Sequence, residues 1–169
     1  MKLNMKKYRL TIILFVLIIL IGCSIANTPT SKVEDLLGKY QRLEKDITID
    51  YQDLSIDNNI SKKYTDEYEK IIKNQYQNLS YEIKEEIIDG DNATVTTSIE
   101  VIDYKDILNK YSKNEYTTEK YHELIIKDLK DAKNKVTYTI DFTLTKDNKD
   151  NWHIDNLTNE IKEKMLGIN

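Results

Sequence analysis

Apolar residues recur along this chain with two periods, and the change of period marks out its elements. Val33, Leu36, Leu37, Tyr40 and Leu43 repeat at steps of 3, 1, 3 and 3, which is one face of a helix. Thr28-Pro29 supplies a capping hydroxyl before a proline at the first helical position, and Ser31 with Glu34 forms an alternative capping box. Tyr64, Tyr68, Ile71, Ile72 and Tyr76 predict a second helix over about 61–77, whereas 47–59 carries no clear period. The spacing then shortens to two. Leu79, Tyr81, Ile83, Glu85 and Ile87 alternate with polar neighbours, Asp89-Gly90-Asp91-Asn92 supplies turn residues, and Ala93, Val95, Thr97, Ile99 and Val101 alternate beyond it. Such a pattern predicts a β-hairpin.

Helical spacing returns in two pieces, about 104–111 and 118–134, the second with Tyr121, Leu124, Ile125 and Leu129 as its stripe. Val136, Tyr138, Ile140, Phe142 and Leu144 then alternate strictly, Asp147 to Asn151 reads as a turn, and Trp152-His153-Ile154 returns. Thr158 caps a terminal helix bearing Ile161, Met165 and Leu166, with Gly167 at its end. Helix, helix, hairpin, helix, hairpin, helix is an α+β order. It predicts N-terminal helices packed on an antiparallel curved sheet made of two hairpins.

The first 22 residues belong to neither pattern. Lys2, Lys6, Lys7 and Arg9 precede an apolar run from Leu10 to Ile21, which ends in Gly22-Cys23-Ser24. Twelve residues make a helix of about 18 Å, too short for a bilayer core of about 30 Å and suited to a signal peptide. Cys23 is the only cysteine among 169 residues, so no internal disulfide explains it.

Leu20-Ile21-Gly22-Cys23 resembles the lipobox of bacterial lipoproteins, although Ile21 stands where that family usually has a small residue. The resemblance implies that signal peptidase II cuts between Gly22 and Cys23 and that the Cys23 thiol carries a diacylglyceryl group. The expected division is a signal peptide over 1–22, a lipidated tether over 23–30 and one α+β domain over 31–169. Ser24 to Thr30 spans at most about 25 Å, which keeps the body near the membrane. The implied location is the extracytoplasmic face of the cell membrane.

Charge supports that division. Without the four N-terminal cations, 21 basic residues face 29 acidic ones, a balance of −8. An acidic body of this kind argues against nucleic-acid binding and against attachment to anionic lipid by charge.

The element order, the Asp-Gly-Asp-Asn-Ala-Thr-Val hairpin and the late Trp152 strand resemble small lipoproteins of low-GC Gram-positive bacteria with a nuclear transport factor 2-like or cystatin-like body. The resemblance implies a sheet wrapped around a conical pocket, in which some members bind ligands or transfer protons. Glu85 shares its strand face with Tyr81, Ile83 and Ile87 and is the candidate acid or base, with Tyr81 and Tyr138 as candidate lining. Asp141 alternates with Ile140 and Phe142 and is expected to face out.

Other chemistry is sparse. His122 and His153 lack companions at ligand spacing and are expected in solvent, so neither a metal nor a cofactor is expected. Asp147-Asn148-Lys149-Asp150-Asn151 lacks the central glycine and distal glutamate of a calcium loop, and a turn is the better account. Sequons at Asn59, Asn78, Asn92 and Asn156 are expected to be composition effects, given the bacterial origin that the lipobox resemblance implies. Eleven tyrosines follow Cys23, and Tyr40, Tyr68, Tyr81 and Tyr138 fall at apolar positions, which favours core packing over a sugar-stacking surface. The expected function is a lipid-anchored, non-enzymatic envelope module with an unidentified protein or small-ligand partner. The alternative is a pocket enzyme with Glu85 or a histidine as general base.

Overall fold

Capping and periodicity place the helices. In the computed structural model, which describes residues 27–54, 56, 60–155 and 157–169, α1 runs Pro29–Arg42, α2 Lys62–Gln77, α3 Lys105–Asn109, α4 Thr118–Asp131 and α5 Asn159–Leu166. The Thr28, Thr117 and Thr158 hydroxyls accept from the backbone N–H of Ser31, Lys120 and Ile161, meeting donors that a helix start leaves unpaired. A single 3-10 turn over Tyr51–Leu54 occupies the stretch without period, too short to show one. Cys23, the segment before it, Asn59 and Asn156 lie outside the described residues.

Four strands, β1 Ser80–Asp89, β2 Asn92–Ile102, β3 Lys135–Lys146 and β4 Trp152–Ile154, form one sheet in the order β1-β2-β3-β4. Every pairing is antiparallel, so β2 and β3 join the two hairpins edge to edge into one curved sheet. The fold is therefore α+β, as the element order predicts. Gly90 turns the first hairpin with φ of 60°, a conformation open to glycine at little cost.

One face of the sheet builds the core. Val95 pairs with Phe142, Thr97 with Ile140 and Ala93 with Leu144, and all six are buried. On the other face Thr139, Asp141, Thr143 and Thr145 are exposed, as expected for Asp141. α1 and α5 contact β2 directly, while α2 packs on α1, α4 and α5. Val33, Leu37, Tyr68, Ile72 and Tyr76 from the helices close the interior, where each full burial of a large aliphatic side chain contributes about 1.5–3 kcal/mol. Tyr40 meets Tyr76 edge-on with ring centroids 4.8 Å apart, so these tyrosines serve packing.

The α2–α5–β2 junction is held by a polar side chain. Gln75 is 1% exposed. Its Nε2 donates to Ile102 O at 2.7 Å and Leu166 O at 2.8 Å, and its Oε1 accepts from Ile102 N at 3.3 Å.

Candidate functional site

The expected pocket residues separate on folding. Tyr81 and Tyr138 both flank Ile99 on one rung of the sheet, half-buried at the margin of the core face. The Tyr138 hydroxyl donates to Asn169 O at 3.0 Å, and burial raises both phenols above their ordinary pKa. Glu85 does not join them. The register slips by one residue between Ile83 and Glu85, so Ile83 pairs with buried Thr97 while Glu85 pairs with Thr96 on the opposite face. The bulge at Lys84 thus reverses the alternation, and Glu85 is exposed rather than turned inward.

Glu86 takes the inward side instead, opposite buried Val95. Its carboxylate accepts from the Thr30 backbone N–H at 2.8 Å, which places a negative charge at the positive end of α1. The sequence offers no direct sign of this contact, because it depends on the bulge.

The histidines also differ from each other. His122 is 2% exposed, contrary to its expected place in solvent. Its Nδ1 lies 2.9 Å from the Tyr68 hydroxyl, and the Tyr64 and Tyr121 rings stand 5.2 Å from it, centroid to centroid. α4 buries Tyr121, His122, Ile125, Ile126 and Leu129 together, a stripe two residues wide that takes in the histidine. His153 is exposed, with Nε2 2.9 Å from Asp147 Oδ2.

Asp147 organises its turn rather than offering a cation site. Its Oδ1 accepts from the backbone N–H of Asn151 at 2.9 Å and of Lys149 at 2.8 Å. The Asn151 backbone bond above all, then His153, holds this carboxyl well below the usual carboxylate range. Among the described residues, no three His, Cys, Asp or Glu side chains gather where a metal ion would sit.

Two of the clefts on the helical side bear on ligand binding. One, of about 230 Å³, is lined by Leu54, Ile56, Leu108 and Tyr121 with Lys105 and Glu163. The other, of about 370 Å³, lies between α2 and α4 and is lined by the edges of the largely buried Tyr64 and Ile126 beside Glu67 and Lys130. The second has a mainly apolar lining with charged groups beside it, the kind of surface that holds a small ligand or a peptide, whereas the first presents mostly polar atoms.

The described chain begins at Asn27, which is held by hydrogen bonds of its own. Asn27 Nδ2 donates to Asp150 O at 2.6 Å, and Asn27 Oδ1 accepts from Trp152 N at 3.3 Å. The chain is therefore fastened to the β3–β4 turn before α1 begins. That turn is in turn joined to the β1–β2 turn, where Lys146 N donates to Asp91 O at 2.8 Å. An asparagine before Thr-Pro reads as an ordinary loop residue, so nothing local marked it for this role. Among the described residues no helix is long and apolar enough to cross a membrane. No family model matches the chain, and no curated protein and no solved structure matches it.

Proposed function

We propose that the chain is a lipid-anchored protein of the bacterial cell envelope, held on the extracytoplasmic face of the membrane through Cys23. Its α+β body is a non-enzymatic module for binding a ligand or a protein. The order of a basic segment, a 12-residue apolar run and Leu20-Ile21-Gly22-Cys23 carries the reading. Two or more acyl chains give lasting attachment, each buried methylene contributing about 0.8 kcal/mol. The short stretch between Cys23 and Asn27 agrees with a body that works close to the surface to which it is attached. On the enzymatic alternative, Glu85 in solvent lacks the desolvated setting that tunes a general base.

The decisive experiment is Cys23→Ala in the full chain, expressed in a bacterium with lipoprotein processing. The expected outcome is loss of the shortened, membrane-bound form and accumulation of the unprocessed chain. Processing and fractionation like the parent would overturn the proposal.

A further inference from the structure

The entry point of the chain fixes which end of the body lies near its anchor. Three residues, Ser24 to Ala26, separate Cys23 from Asn27. Four steps of at most about 3.6 Å reach no further than about 14 Å. The Asn27 bonds to Asp150 and Trp152 convert that reach into a constraint on the β3–β4 turn and on the β1–β2 turn bonded to it.

Beside these turns lies an apolar feature that the core does not use. Ile87 and Ile88, at the end of the edge strand β1, are each 53% exposed. Ile88 pairs with Ala93 one rung from the turn, and Asn92 pairs in turn with Thr145. Both isoleucines therefore sit at the same end of the sheet as the Asn27 clamp. Among the described residues they and Tyr116 are the large hydrophobic side chains left most open. The charged groups near this end include Asp89, Asp91, Asp147 and Asp150, with Glu85 and Glu86 just before Ile87, against Lys146 and Lys149, of which Lys146 pairs with Asp150 at 3.6 Å. Their balance is negative, so an anionic surface gains nothing from them, and the attraction left to this end is apolar.

We infer that this pole rests on the bilayer that carries the anchor, with the Asp89–Asn92 turn in the wet headgroup layer and Ile87 and Ile88, on opposite faces of β1 just behind it, lying against that layer. The inference rests on the proposed acylation of Cys23. Two half-exposed isoleucines bind a membrane too weakly to hold a free protein. A tether of about 14 Å raises their effective concentration at the surface to the millimolar range or above, and contact follows. The opposite end then faces away from the membrane. Lys135 stands eleven residues before Lys146 on β3, about 36 Å at 3.3 Å per residue. Lys105 and Leu108, which line the first cleft, follow the far end of β2 and so belong to the end away from the membrane.

The test places one fluorophore at a time on the full-length processed protein in phosphatidylcholine vesicles containing a spin-labelled, quenching phosphatidylcholine. Asp91→Cys and Lys149→Cys report on the inferred pole, and Lys133→Cys reports on the opposite end. In the acylated protein the introduced thiol is the one that labels. Quenching several-fold stronger at 91 and 149 than at 133 is expected. The combined Ile87→Gln and Ile88→Gln substitutions, with an unchanged circular dichroism spectrum, should reduce quenching at 91. Equal quenching at all three sites, stronger quenching at 133, or no response to the glutamine substitutions overturns the inference. A parent protein that fails to float with the vesicles and labels at Cys23 overturns the anchoring proposal itself, a result separable from the first.

Discussion

Glu67 lies between two lysines, Lys70 one turn along α2 and Lys130 on α4, and its hydrogen bond to Lys130 joins the two helices. Those contacts, Lys130 first, draw its carboxyl down from 4.5 to about 2. A folded-state value below the unfolded one means that the stabilisation is fully present above pH 4.5 and is lost as pH falls through about 2. Carboxyl titration by NMR should find the Glu67 midpoint near 2 and the Lys130→Met midpoint moved upward. A parent midpoint at 4.5 would show that the cluster does not form in solution. Single residues are also where sequence reading fell short. Strict alternation through Lys84 turns Glu85 inward, and the bulge that reverses it leaves no mark in hydrophobic pattern. One polar residue beside a stripe is normally outside it, which puts His122 in solvent, whereas Tyr68 on another helix supplies its bond inside.

Elements were legible where local chemistry decides them. The threonine caps at 28 and 158 and the left-handed Gly167 end sit where the sequence predicts, and Thr117 caps α4 in the same way. Strands β2 and β3 follow their alternation, because the register opposite a buried face admits no slip without exposing every apolar residue. What joins the elements was not legible. Gln75 reads as one polar position on an amphipathic helix, yet its amide bridges the end of β2 to the end of α5. Gly167 shares that junction, since a Cβ there would stand 2.0 Å from Ile102 O. Gln75→Leu keeps the volume and removes the partners of Ile102 O, Ile102 N and Leu166 O. We expect a loss of about 2–3 kcal/mol, because buried groups left unpaired cost more than a bond contributes. Urea denaturation of parent and variant measures it, and a loss below about 0.5 kcal/mol would mean that other donors satisfy those groups.

For the molecule as a whole, charge and anchor act separately, and that separation can be measured. The chain after residue 22 carries 21 basic and 29 acidic residues, so its mean field repels an anionic surface. Attachment through acyl chains is indifferent to that field. A peripheral protein held by ion pairs or by a charged partner responds to salt, since the Debye length falls to about 3 Å at about 1 M. Membranes carrying the full-length processed protein should therefore retain it through washing at about 1 M salt. A chelator wash should also leave it in place, because acidic turns bridged to lipid by divalent cations would release it there. Non-ionic detergent should bring it into solution, by replacing the bilayer around the acyl chains rather than by screening charge. Extraction by salt would mean that a charged partner holds the protein, and extraction by chelator would mean that cations do. Either result would leave the Asn27 clamp as a feature of the fold alone, with no bearing on which way the body faces.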